Sequence, residues 1–268
     1  MLLKLAFTIT ALAYASASFL YGVYLVRGSE RAKQWGARAL WASVVLHAGL
    51  FALELDQLQS LPAGDVHQAM AVTAMATCVV FLALSRKRPI AVLGAFLTPV
   101  VLLLFLGAGV GRDVPPVPSP VRTFLLPFHI GVNMLGLVAF AVAFAASVGY
   151  VVQERQLRSK RLGGIFRRLP PLDVLDQLAF RSVLTGFPLL TIGIVTGALF
   201  ASRLGAMDGA TSMAAVLSAI SWVLFAGVLL LRVAAGWTGR RAAIGTILGF
   251  VSAVTVLLGY LLRGSVIS

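Results

Sequence analysis

Along this chain long apolar stretches alternate with short polar ones, and the length of the alternation is that of a membrane crossing rather than of a strand or a surface helix. Apolar runs lie at about 5–26, 39–57, 66–84, 90–107, 127–152, 182–201, 213–233 and 242–262. Each is close to or above the roughly 18 residues that mark a transmembrane helix. A helix satisfies its own backbone over such a run, which an open strand in lipid cannot do. The pattern therefore predicts an all-α integral membrane protein, one polytopic domain over 1–268 built as a bundle of eight transmembrane helices.

The polar stretches between the runs carry the orientation. Arg27, Arg31, Lys33 and Arg38 fall in the first gap, Arg86 to Arg88 in the third, Arg155 to Arg181 in the fifth, and Arg232, Arg240 and Arg241 at the seventh. Of the 22 basic residues, that leaves only Lys4, Arg112, Arg122, Arg203 and Arg263 for the other side. By the positive-inside rule the arginine-rich gaps face the cytoplasm and both termini lie outside. The triplet Ala15-Ser16-Ala17 gives the first run a signal-peptide reading as well. The run continues past it, and the basic cluster follows the run, which favours a retained helix.

Composition agrees: the chain of 268 residues is 59% hydrophobic and 12% charged, with mean hydropathy +0.96, against about a quarter charged in soluble domains. The net charge of +13 is then topological, and nucleic acid is excluded as a partner. The single cysteine, Cys78, lies inside an apolar run, so disulfide pairing, a thiol relay and a CxxCH haem attachment within this chain are excluded.

Within that frame the sequence has local punctuation. The segment 111–122, GRDVPPVPSPVR, reads as a stiff extended connector. In 172–181, LDVLDQLAFR, leucines line one face against Asp173 and Asp176, predicting a short amphipathic helix on the inner surface. Gly163 and Gly164 match no phosphate-binding loop. Pro188 is expected to kink the sixth helix, and Gly193 and Gly197 to let a neighbour approach closely.

Candidate chemistry rests on the three histidines. His129 opens the fifth helix at the outer face, with Asn133 one turn further on the same face. His67 lies at the same predicted depth. His47 sits about nine residues, roughly 14 Å, beyond Arg38 along a helix of about 1.5 Å per residue, near the bilayer midplane. An ionisable group there is a functional candidate by default. The competing reading is a neutral histidine hydrogen-bonded to a neighbouring helix. Imidazoles in an apolar bundle suit an iron porphyrin or a transition metal. The HExxH and GxSxG patterns are absent, which disfavours hydrolytic chemistry.

Several stretches carry a family likeness: LHAGLFALE in the second helix, LGAFLTPVVLLL in the fourth, PFHIGVNMLGLVAFA opening the fifth, YVVQERQLRSKR, LPPLDVLDQLAFRSVLTGFPLLTIGIVTGALFA, and the late ISWVLFAGVLLLRV with GWTGRRAAIGTILGF. Through these the sequence resembles the CcsA/HemX/CcmC-type cytochrome c assembly family, membrane proteins that handle haem for attachment to apocytochromes. The likeness covers most of the chain.

The resemblance implies haem as cofactor. His129 stands where the family has an outer-face haem histidine, and His47 is similar to the helix-two histidine of shorter members. His67 has no family counterpart and is kept on its depth alone. His129, His47 and His67 are thus the expected cofactor-binding residues, with His129 and His47 on the iron and no catalytic residue assigned. The implied partners are the lipid bilayer, a second cytochrome c assembly membrane protein and apocytochrome c, and the implied location is a bacterial plasma (inner) membrane.

The sequence also departs from the family. Where a tryptophan-rich outer loop is expected, 203–218 reads RLGAMDGATSMAAVLS, without tryptophan. No histidine follows the eighth helix, and leucine stands near Leu231 where a histidine is common. These differences lean toward the HemX-like side, linked to regulation of haem biosynthesis. A small-molecule transporter or membrane scaffold with structural histidines is the remaining alternative.

Overall fold

The fold is that of a computed structural model describing residues 2–58, 66–109, 125–160, 163–204 and 209–266. The expected connector at 111–122 and the loop around Asp208 lie outside the described residues. In chain order the elements are α1 (Leu2–Arg27), α2 (Glu30–Leu58), α3 (Val66–Lys87), a 3-10 turn (Ala91–Leu93), α4 (Gly94–Gly107), α5 (Leu125–Arg158), α6 (Ile165–Arg168), α7 (Leu172–Leu204), α8 (Gly209–Ala235) and α9 (Arg240–Val266). Every described element is helical. The chain is a multi-pass membrane protein: seven of the described helices are long and apolar enough to cross a bilayer. The other predicted crossing, the 3-10 turn with α4, is a shorter apolar helix. It reaches roughly 27 Å, a little under the ~30 Å hydrocarbon core.

Two boundaries differ from the expected ones, for the same reason. α2 begins at Glu30 rather than near 39, because Ser29 caps it: its Oγ accepts from the Ala32 backbone N–H at 3.3 Å. The basic cluster is thus the first turns of a helix and not a loop. Likewise the 172–181 segment is no separate surface helix. It is the start of α7, with Leu175 and Leu178 buried in the core. Hydropathy marks where a helix enters lipid, whereas caps and breakers mark where it ends.

The helices fall into two groups. α1 packs on α2 and α4, while α5 packs on α7 and α9, with α8 against α9 and α7; α3 touches both groups through α4 and α5. With lipid tails as apolar as leucine, close van der Waals contact and interhelical hydrogen bonds hold such a bundle. Small residues provide the approach. A Cβ on Gly94 would lie 2.7 Å from the Tyr21 ring, and one on Gly186 2.7 Å from Phe140. Phe140 in turn stacks on Phe225 of α8 at 3.9 Å, nearly parallel.

One end of the bundle gathers the arginines. Arg232 donates to Asp176 at 2.7 Å, and the other oxygen of Asp176 accepts from the Gly239 backbone N–H at 3.2 Å, tying the start of α7 to the α8–α9 turn. Glu154 accepts from Arg158 at 2.8 Å. Gly28, with φ +68, closes α1, and the Arg168 Nη1 donates to the carbonyls of Leu25 and Val26 at that helix end, each at 2.6 Å. Arg38 lies over Trp35, Arg86 over Trp41 and Arg241 over Trp237, at about 5 Å from each ring. Tryptophan and arginine together are the usual furniture of a membrane interface.

Candidate functional site

His129 sits one turn into α5, at the end of the bundle away from the arginines. Pro127 precedes it in the first turn, where no backbone donor is lost. The side faced is α7. Down this seam His129 meets Gly197, Asn133 meets Gly193, Gly136 meets Leu189 and Phe140 meets Gly186, numbers rising on one helix as they fall on the other. The helices are therefore antiparallel and in tight register. A Cβ on Gly197 would stand 2.9 Å from Cε1 of His129, so the close-packing glycines expected from their spacing are what admit the imidazole and the amide.

Polar contacts fix the ring. Its Nδ1 lies 2.9 Å from Oγ1 of Thr196. The amide nitrogen of Asn133 donates to the His129 carbonyl at 2.7 Å and lies 3.3 and 3.4 Å from the two ring nitrogens. Thr196 is buried, while His129 keeps partial exposure. An imidazole held at Nδ1 by Thr196, with the Asn133 amide beside both ring nitrogens and part of its surface open, can act as a ligand.

His47 lies in the other helix group. It is buried at 2% exposure in α2, its Nδ1 3.0 Å from the Tyr14 hydroxyl of α1 and its ring edge-on to Phe105 of α4 at 4.7 Å. Cys78 of α3 is buried in the same group of helices. His67 is buried near the start of α3. The structure does not bring the three histidines together: α2 packs chiefly on α1, with at most marginal contact to α5 or α7.

Sequence reasoning missed Thr196 and Tyr14. Thr196 stands between the two glycines in GIVTG, a small polar residue inside a close-packing motif, and that is a signal, though it does not name its histidine. Tyr14 shares its run with Thr8, Thr10, Ser16, Ser18, Tyr21 and Tyr24, so nothing local singles it out.

Among the described residues no three His, Cys, Asp or Glu side chains gather as a metal site. A bare transition ion needs such a set. A porphyrin brings four nitrogens of its own and asks the protein for one or two axial ligands, which isolated imidazoles such as His129 can supply.

Comparisons with known proteins give the same direction. The family model "Cytochrome C assembly protein" matches residues 36–267. Among curated proteins, the chain is 26% identical over 249 residues to the cytochrome c biogenesis protein CcsA of Synechococcus sp. (strain CC9902), covering 83% of this chain and 82% of that one. It is 25% identical to CcsA of Prochlorococcus marinus (strain MIT 9303), covering 97% and 91%, and 24% identical to CcsA of Mesostigma viride, covering 91% and 89%. Among solved structures, the cytochrome c haem lyase CcmF superposes with a TM-score of 0.60 at 16% identity. That match takes in 97% of this chain and 51% of CcmF, and it establishes a shared fold. The lean toward the HemX-like side gains no support from these relatives.

Proposed function

The chain belongs to the cytochrome c assembly protein family, and from that membership we propose that it handles haem at the His129 end of the bundle during c-type cytochrome biogenesis. The observation that carries the reading is the α5–α7 seam: a partly exposed imidazole, anchored through one nitrogen by Thr196 and seated on Gly197. That donor set fits an iron porphyrin. His129 is the residue that would hold the iron. His47 is the second candidate ligand, and His67, buried near the start of α3, is the third; both stand on other helices. Once bound, haem supplies the group that a CxxCH motif of an apocytochrome receives.

The chain's own part is to bind and orient. Asn133 and Thr196 keep the imidazole from rotating, and the apolar faces of the surrounding helices exclude water from the iron. With no tryptophan in 203–218, a second assembly membrane protein completes the haem surface and presents apocytochrome c. The location is a bacterial plasma membrane, with both termini and His129 outside. The test is the visible spectrum of detergent-purified protein, alone and with added haemin. A Soret band that shifts or disappears in His129→Ala supports the reading, and no spectral response in the wild type overturns it.

The absent tryptophans also motivate a second reading, a HemX-like regulator of haem biosynthesis acting through the basic segment 153–181. Gene deletion separates the two. Loss of c-type cytochromes favours assembly, and altered abundance of an early haem-biosynthesis enzyme favours regulation.

A further inference from the structure

Thr196 decides more than where the His129 ring sits. A threonine hydroxyl has one proton to give and two lone pairs with which to accept. Here Oγ1 lies 2.8 Å from the Ile192 carbonyl and 3.1 Å from the Gly193 carbonyl of its own helix. A carbonyl only accepts, so the single proton of Thr196 is directed there, in the back-bond usual for a helical threonine. Toward His129, 2.9 Å away, the oxygen is left with lone pairs alone. The group facing it must then be an N–H. Asn133, nearly equidistant from both ring nitrogens, does not discriminate between them.

We infer that Thr196 is a positioning residue that holds neutral His129 as the Nδ1–H tautomer, keeping Nε2 bare for a metal ion. The inference rests on the reading of His129 as a haem ligand and adds the residue that prepares it. In water neutral imidazole exchanges between two tautomers, and iron takes the nitrogen without the proton. Fixing the proton on Nδ1 before the porphyrin arrives presents one nitrogen, Nε2, as the ligand atom. The oxygen of Thr196 also raises the basicity of the ligand, the part played by the carbonyl or carboxylate behind many metal-bound histidines. Gly193 and Gly197 serve the same end, since bulk there would push the ring off the hydroxyl.

The experiment uses haem-free, full-length protein with 15N-labelled histidine, purified in detergent and held about two pH units above the ordinary imidazole value so that the ring is neutral. With three histidines in the chain, the signals lost in His129→Ala identify the ring, and long-range 1H–15N correlations report which nitrogen carries the proton. The expected result is Nδ1–H in the wild type, a shift toward Nε2–H in Thr196→Val and return to the wild-type pattern in Thr196→Ser. Haemin titration of the same samples should show affinity lowered about tenfold in Thr196→Val, the lower end of what outer partners of metal-bound histidines contribute, and restored in Thr196→Ser. Wild-type His129 in the Nε2–H form, or a Thr196→Val spectrum unchanged from wild type, overturns the inference. Absence of haemin binding with the tautomer as expected counts against the proposed function and leaves the assignment of Thr196 standing.

Discussion

His47 and His129 are both helical histidines whose Nδ1 contacts a hydroxyl on a neighbouring helix, and they are opposite in kind. At His129 the partner is Thr196, whose proton goes to its own helix, so the ring donates. At His47 the partner is the Tyr14 hydroxyl. Unlike Thr196, the Tyr14 hydroxyl has no carbonyl partner among the described residues, so its proton goes to the imidazole, the ring accepts and its own proton rests on Nε2. One histidine offers a lone pair near the mouth of the bundle; the other offers a proton in its interior. Distance from the surface is the lesser difference. What separates the first candidate ligand from the second is where the hydroxyl opposite sends its hydrogen.

The sharpest break of that contrast is the pair of alanine variants. His129→Ala is expected to abolish the haemin-induced absorption change. His47→Ala is expected to retain it while lowering stability by about 1–3 kcal/mol, the cost of stranding a buried hydroxyl, as read in denaturation of the detergent-solubilised protein. Equal loss of the haemin response in both would erase the distinction.

Next in size is the seam itself. Gly197→Val drives branched bulk into the His129 edge, and overpacking of that kind costs about 1–3 kcal/mol. Its mark is a lowered unfolding midpoint together with weakened haemin binding, whereas the same change at Gly22, which has open space around it, should leave both near wild type. At the arginine end, Arg232→Met removes a charged hydrogen bond to Asp176 and is expected to cost about 1.5–3 kcal/mol with the haemin spectrum intact. A spectral change there would mean that the two ends are coupled.

The smallest effect separates the two hydroxyls. Tyr14→Phe deletes one interhelical hydrogen bond, on average about 0.6 kcal/mol in a membrane bundle, and should not touch haemin affinity, while Thr196→Val should lower it. Matching titration curves for the two variants would show that neither hydroxyl sets its histidine for iron.

Much of this was legible in advance, and its limits follow from the same physics. Apolar run length revealed the helices, because lipid demands continuous helix, and the Gly193/Gly197 spacing revealed the closest seam, because the four-residue period stacks them on one face. Helix ends escaped. Ser29 caps α2 well before its apolar run, and nothing between Arg181 and Ser182 stops α7, so a hydropathy boundary is not a helix boundary. Composition makes the α4 region a full crossing, but its helical length is set by the 3-10 turn that begins it. For the site, the histidines could be named and their partners could not. Tyr14 lies 33 residues from His47 and Thr196 lies 67 from His129, and such pairings come from tertiary packing, to which a local pattern is blind.

The contact of Arg168 with the end of α1 bears on how the chain is made. The carbonyls of Leu25 and Val26 receive their donor from a residue more than 140 positions later. At about 5–20 residues per second of synthesis, that is a delay on the order of 10 s. Through that interval the first helix has its finished length but an unfinished terminus, served by water or headgroups. The end of α1 is thus completed only once residue 168 has been made, and a nascent chain stalled before it would leave that end open to protease.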